Sequence, residues 1–232
     1  MKKEFDYDRF TQEGEAKHQA FDSVRAFEKC VADYAGSKYA VAVDSCTNAL
    51  FLCCKYLKVN EVKIPAVNYP SVPGVILHAG GKVVFKSIAW KGSYKLEPYP
   101  IIDSALSFYR GMYKQDLFYC LSFNTLKHLK IGKGGMILTD DQEAFKWFKS
   151  ARYLGRHENP CYNEGCDCDH STVDMVGWNM IMTPDQASRG LMLMHGIPDY
   201  NEDLDFYSLY DDLRNYPIFK KDNYDAANRT ST

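Results

Sequence analysis

The sequence predicts an α/β fold built on a largely parallel, buried sheet, and three observations point to it. Short apolar, β-prone runs alternate with stretches of helical periodicity. Glycines and a proline punctuate the joins between them. A chain of 232 residues, 46% hydrophobic and 25% charged, can bury a sizeable core as one large domain with at most a small appendage.

The elements follow in order. Phe21, Val24, Phe27, Val31 and Tyr34 recur at three- and four-residue steps, so residues 15–35 form an amphipathic helix closed by Gly36. Lys38–Val43 is the first strand, Thr47–Leu57 the next helix, and Val62–Ile64 a strand ended by Pro65. A helix over 71–79 stops at Gly80-Gly81 and leads into the strand Lys82–Phe85. Short strands are expected at Ile101-Ile102, Phe118–Leu121 and Met136–Leu138, the last feeding a helix from Gln142 to about Leu154. Residues 156–170 are polar without periodicity and read as a long loop, a candidate lid. Thr183-Pro184-Asp185 opens a helix with cap and first-turn proline in place, Asp203–Leu213 is expected as a last helix, and the tail 223–232 as frayed.

Composition narrows the partners. Lys and Arg number 28 against 30 Asp and Glu, a formal charge of −2, which gives no electrostatic reason to expect nucleic acid or an anionic membrane. The first ten residues alternate charges with aromatics and hold no apolar leader segment, and no apolar run is long enough to span a bilayer. A cytoplasmic protein with reduced thiols is expected; Cys46, Cys53, Cys54 and Cys120 sit in apolar runs where Cys acts as a small hydrophobe. Cys161, Cys166, Cys168 and His170 offer donors for zinc but lack the paired CxxC spacing of a strong motif. They are read as reduced loop cysteines with no metal.

Four segments at predicted strand ends carry chemistry. Ser45-Cys46-Thr47-Asn48 opens a helix, whose free N–H groups with the Ser45 and Thr47 hydroxyls form an anion pocket; a plain helix cap is the simpler reading. Tyr69, just past a strand, offers a face for a planar ring, although any one of seventeen tyrosines is more often structural. Asp103 ends a buried strand, where a carboxylate needs a cationic partner, or else caps a helix from residue 104. Lys127 follows the strand ending at Leu121, where partial desolvation would make its amine a nucleophile; the glycines at 132, 134 and 135 allow a tight return. Anion pocket, ring-stacking aromatic, buried acid and lysine are together what pyridoxal 5'-phosphate (PLP) requires.

In this order the segments resemble the sugar aminotransferases of the DegT/StrS type, within the fold-type I PLP enzymes, from about Phe27 to Leu193. Ser45-Cys-Thr-Asn-Ala-Leu50 is similar to the family's Ser-Gly-Thr-x-Ala-Leu phosphate loop, with Cys46 for glycine. Ile64–Tyr69 matches the segment of the stacking aromatic, and Ile102-Asp-Ser-Ala105 that of the acid at the pyridine nitrogen, with Leu106 where members usually carry Gln. Ser122-Phe-x-x-x-Lys127 followed by Gly-x-Gly-Gly is the most specific match, implying Ser122 on the phosphate and Lys127 as the Schiff-base lysine. Gly177-Trp-Asn179-Met180 resembles the family's Gly-Tyr-Asn-Tyr-Arg, with Ile181 at the Arg position; it implies that Asn179 reaches the cofactor phosphate of a neighbouring subunit.

The resemblance implies a three-layer, aspartate aminotransferase-like large domain over residues 1–195, with a C-terminal helical remnant and tail over 196–232. The stretch from Phe85 to Ile101 is shorter than the family's, which predicts a shortened sheet, and the resemblance implies a C-terminal small domain that is reduced or missing in these 232 residues. The activity implied is transfer of an amino group, from L-glutamate, to a nucleotide-linked keto sugar, in a homodimer with sites shared between subunits. A truncated PLP-binding relative without transaminase activity is the alternative. A PLP-dependent sugar dehydrase would normally lack the lysine that Lys127 supplies. His128 and His157 are read as exposed polar residues rather than substrate contacts.

Overall fold

The computed structural model describes residues 16–156 and 173–219. The polar loop with Cys161, Cys166, Cys168 and His170, His157, and the tail from Asn223 lie outside the described residues.

Helix α1 (Ala16–Ala35) leads into strand β1 (Tyr39–Val43) and helix α2 (Cys46–Tyr56). Strand β2 (Glu61–Pro65), helix α3 (Ser71–His78) and strand β3 (Lys82–Lys86) form a parallel unit, β2 beside β3. Strands β4 (Tyr94–Leu96), β5 (Ile101–Asp103), β6 (Phe118–Ser122) and β7 (Gly135–Thr139) complete the sheets, followed by helices α4 (Gln142–Ala151) and α5 (Pro184–Met194). The main sheet runs β1-β7-β6-β5-β4.

The sheet is mixed rather than largely parallel. β5 and β6 run parallel, whereas β7 runs against both its neighbours and β4 against β5. β4 is the element absent from the sequence reading, and it lies in the stretch between Phe85 and Ile101. Only four residues join Leu96 to Ile101, while a parallel pair needs a crossover of a dozen or more. The short connection therefore forces β4 antiparallel, in register Tyr94↔Asp103 and Leu96↔Ile101. Beyond β4, Lys63 and Glu97 exchange backbone bonds of 2.7 and 3.1 Å, which link the β2–β3 pair to the main sheet.

Alternation along the strands builds three layers. Val41 and Val43, Phe118 and Cys120, and Ile137 face α2, α3 and α4, packing with Leu50, Leu52, Ile76 and Phe148. Ala40 and Ala42, Tyr119 and Leu121, and Met136 and Leu138 face the other way, onto Phe27 and Val31 of α1 and Ala187 of α5. Each fully buried Leu, Ile or Phe stabilises the fold by about 1.5–3 kcal/mol.

β1 is an edge strand, and its outer edge is satisfied by a buried ion pair. Glu28 of α1 accepts from the Ala42 N–H at 2.9 Å and from Arg152 Nη1 at 2.6 Å, while Lys149 reaches its other oxygen at 2.9 Å. Arg152 also donates to the Ala42 carbonyl, so both polar groups of that residue are met where a further strand would otherwise dock.

Helix α5 begins as expected, with Pro184 at its first turn and a reciprocal capping box between Thr183 and Gln186. Thr183→Ala is expected to lower stability by about 1 kcal/mol, read as a shift in thermal unfolding midpoint, because the Gln186 N–H loses its acceptor. No α-helix forms over Asp203–Leu213. The segment carries only 3₁₀ turns at Tyr207–Leu209 and Leu213–Asn215 and runs back over the sheet's active end, bonding Leu106, Gly92 and Ala66 through its backbone. Among the described residues no helix is long and apolar enough to cross a membrane.

Candidate functional site

The strand directions bring the chemistry to one end. β1, β5 and β6 finish there, and antiparallel β4 and β7 begin there, so Ser45, Asp103, Ser122, Tyr94 and Gly135 meet at one rim. They surround a cavity of about 420 Å³, a size suited to a small-molecule ligand. Of the residues singled out in the sequence, Ser45, Cys46, Thr47, Tyr69, Asp103, Ser122 and Lys127 line it.

The turn from β1 into α2 is extended at Ser45, whose Oγ accepts from the Asn48 N–H at 3.2 Å. Thr47 Oγ1 lies 2.9 Å from Ser71 Oγ, and the cavity passes over the first turn of the helix. Asn48 is not on the cavity wall: its amide donates to Asp44 Oδ1 at 2.6 Å and fixes the turn from outside. Cys46 is buried, with Sγ 3.4 Å from the Cys120 carbonyl and 4.0 Å from Asp103 Oδ1. Burial, with Asp103 and Cys120 close by, keeps this thiol protonated, its pKa well above the usual value.

Asp103 is 5% exposed and caps no helix; its Oδ1 accepts from the Ala105 N–H at 3.1 Å across a turn. Tyr94 Oη donates to its other oxygen at 2.7 Å. Burial holds the Asp103 carboxyl above its ordinary pKa, and the bonds from Tyr94 and Ala105 with the nearby Lys127 offset only part of that rise.

Lys127 sits on the loop between β6 and β7. The Phe123 N–H donates to Gly134 at 2.9 Å, the Gly132 N–H returns to Phe123 at 3.0 Å, and Lys127 closes a turn on Asn124 at 3.1 Å. Its Nζ stands 5.0 Å from the centre of the Phe206 ring. Burial lowers its pKa from the ordinary lysine value, opposed by Cys46 and Asp103. A partly desolvated amine and a buried carboxylate thus share one cavity.

The sequence reading missed several walls. Tyr94, on the unrecognised β4, and Asn68 lie behind Asp103. Trp90 and Tyr210 stack at 6.1 Å with an interplanar angle of 20°. Tyr210 comes from the segment expected to be helical, and burial beside Asp103 and Tyr69 pushes its hydroxyl up to about 12. Lys133 also lines the cavity, 3.7 Å from Asp44. The alternation of Tyr94 and Leu96 around Lys95 was the only available signal for β4. Tyr69 stands at the mouth, 55% exposed, its ring 6.0 Å from that of Tyr210. Asn179 is exposed outside the cavity, bridged to Tyr153, and Ile181 bridges Val43. His128 contacts the Glu202 carbonyl at 2.9 Å.

The described cysteines are free thiols, with Cys46, Cys53, Cys54 and Cys120 buried. Among the described residues no cluster of three or more metal-ligating side chains occurs, and the candidate zinc ligands lie outside them.

Comparison with known proteins places this geometry. The model of the DegT/DnrJ/EryC1/StrS aminotransferase family matches residues 6–101 and 110–219. The spore coat polysaccharide biosynthesis protein SpsC of Bacillus subtilis is 28% identical over 224 residues, covering 76% of this chain and 57% of that protein. The fold is shared with an aminotransferase from Psychrobacter cryohalolentis (TM-score 0.63, 20% identity, covering 77% of this chain and 57% of that one). It is also shared with Helicobacter pylori PseC, an aminotransferase involved in pseudoaminic acid biosynthesis (TM-score 0.62, 18% identity, 76% and 58% covered). The chain therefore spans little more than half the length of these relatives. With the family model matching most of its length and the three-layer fold in agreement, the chain belongs to the DegT/DnrJ/EryC1/StrS aminotransferase family.

Proposed function

We propose that this chain is a PLP-dependent aminotransferase that passes an amino group from L-glutamate to a keto sugar carried on a nucleotide. The observation that carries the reading is the half-buried Lys127 amine, its pKa lowered by partial desolvation, in one cavity with the buried Asp103 carboxylate. The residues suit the cofactor: a buried acid calls for a cationic ring nitrogen, and a helix start with hydroxyls at 45, 47 and 122 calls for a phosphate. SpsC, named for polysaccharide biosynthesis, supports a sugar acceptor.

Bound PLP would supply an aldehyde carbon for amines and a protonated ring that takes up the electrons left when a C–H bond breaks. The chain's own groups do the rest. Ser45, Thr47 and Ser122, with the first N–H groups of α2, hold the phosphate. Asp103 holds a proton at the ring nitrogen, and Tyr69 offers its face to the ring. Lys127 Nζ, neutral more readily than an exposed lysine, takes the proton from the donor's α-carbon and, in the second half of the reaction, delivers one to the acceptor carbon that carried the keto oxygen. The reading includes a cytoplasmic homodimer in which Asn179, outside its own cavity, serves the neighbouring one. Residues 1–195 would carry the cofactor, and the segment from 196 onward would supply the cover.

Borohydride reduction of the protein with PLP, followed by peptide mass mapping, tests the reading. A pyridoxyl adduct on Lys127 and loss of visible absorbance on adding glutamate are expected; no adduct at Lys127 would overturn it. A cofactor-binding relative without transaminase activity is the second reading, favoured by Leu106 on the wall and Phe206 against Lys127, which narrow the space for a donor. An adduct with absorbance that glutamate leaves unchanged would select it.

A further inference from the structure

Asp103 is anchored by a buried relay that runs through Tyr94, a residue outside every matched sequence motif. Asn68 and Tyr94 are 1% and 8% exposed. Asn68 Nδ2 donates to Tyr94 Oη at 2.8 Å, and Tyr94 donates to Asp103 Oδ2 at 2.7 Å. Asn68 Oδ1 accepts from the Tyr69 N–H at 2.7 Å. The relay thus joins the backbone of the ring-stacking tyrosine to the acid. It exists because antiparallel β4 places Tyr94 opposite Asp103 in register.

Resting on the proposed PLP site, we infer that Tyr94, oriented by Asn68, is a positioning residue that keeps Asp103 ionised and aimed at the cofactor's ring nitrogen. With Ala105 bonded to Oδ1 and Tyr94 to Oδ2, the carboxylate cannot rotate without losing a bond, and its remaining lone pairs serve the ligand. The charged groups and ionisable neighbours around it are few: Lys127 from the β6–β7 loop, Cys46 of α2, Cys120 of β6 and Tyr210 of the covering segment. Lys127 favours the ionised acid. The two thiols and the Tyr210 phenol are held protonated by burial, so Tyr94 is the strong neutral donor to the carboxylate.

Tyr94→Phe removes one hydroxyl and keeps the ring, which packs edge-on to Trp90 at 4.6 Å. Dissociation constants are to be measured across pH for PLP and for its deaza analogue, in which carbon replaces the ring nitrogen. The variant should bind PLP roughly ten- to a hundredfold more weakly, the range for a hydrogen bond to a charged group. Its affinity for the deaza analogue should be unchanged, and its loss of PLP affinity on acidification should begin at higher pH than in the parent. Asn68→Ala, which leaves the Tyr94 hydroxyl in place but unoriented, should shift the same way by less. Equal weakening toward both ligands would mark a structural role only and overturn the inference, as would parental affinity in both variants. A parent chain that binds neither ligand would overturn the PLP reading itself, and this inference with it.

Discussion

On the proposed function, Lys127→Ala is expected to end covalent capture of PLP and to lower the proposed glutamate-dependent amino transfer by roughly 10³-fold or more, because Lys127 is the one partly desolvated amine on the described cavity wall. Lys133 shares the cavity, but its head is largely exposed and engaged by Asp44 at 3.7 Å. The same variant is expected to be at least as stable as the parent near neutral pH. Burial lowers the Lys127 pKa from the ordinary 10.5, so the unfolded chain holds this proton more tightly than the folded one. Such a group makes the folded state gain stability as pH rises through the window between its folded pKa and 10.5, and carry the full cost of a desolvated charge below it. Removing the amine removes that cost. The stability advantage of the variant should therefore shrink as pH is raised toward 10.5, measured by urea unfolding at a series of pH values. A parent clearly more stable than the variant at neutral pH would mean that the contact of the Lys127 Nζ with the Phe206 ring outweighs the desolvation.

Gly135→Ala is expected to cost roughly 3 kcal/mol or more and to disable the phosphate end of the site. A Cβ at this position would lie 2.4 Å from the Ser45 carbonyl carbon and 2.5 Å from the Cys46 nitrogen. Both are backbone atoms at the start of α2, so the clash can be relieved only by pulling the helix start away from β7. That displaces the N–H groups assigned to the phosphate and the Cys46 side chain beside Asp103 together. Gly132→Ala provides the contrast. Gly132 has open space around it but a φ of 115°, so its penalty is conformational, of order 1–2 kcal/mol, and leaves the helix start in place. Thermal unfolding and PLP titration of the two variants separate the effects: Gly132→Ala should lose stability and keep affinity, and Gly135→Ala should lose both.

Most strands and helices were legible because their signals are local. The run Tyr39–Val43, the cap at Ser45 and the proline at 184 depend on neighbours a few residues away, and the structure moves their limits by a residue or so. The helix from Gln142 ends at Ala151, where Arg152 turns to meet Glu28, a partner 124 positions away that the sequence does not mark. β4 escaped because three residues carry little alternation, and its strand character comes from pairing with β5. The helix expected over Asp203–Leu213 failed for a related reason. Phe206, Leu209 and Tyr210 line the cavity, and the backbone on either side of them bonds the rim through Leu204 and Leu213, leaving only a 3₁₀ turn between.

By itself the sequence determined the alternation of strands and helices, the lysine at 127, the acid at 103 and the polar start of the helix after β1, because these rest on local signals around each strand end. Only the tertiary structure decided what surrounds them. The mixed strand directions, the Tyr94–Asn68 relay behind Asp103, the covering segment with Tyr210 and the exclusion of Asn48 from the cavity all rest on contacts between distant segments. Such contacts follow from which strands lie side by side, and pairing partners cannot be read from either partner alone.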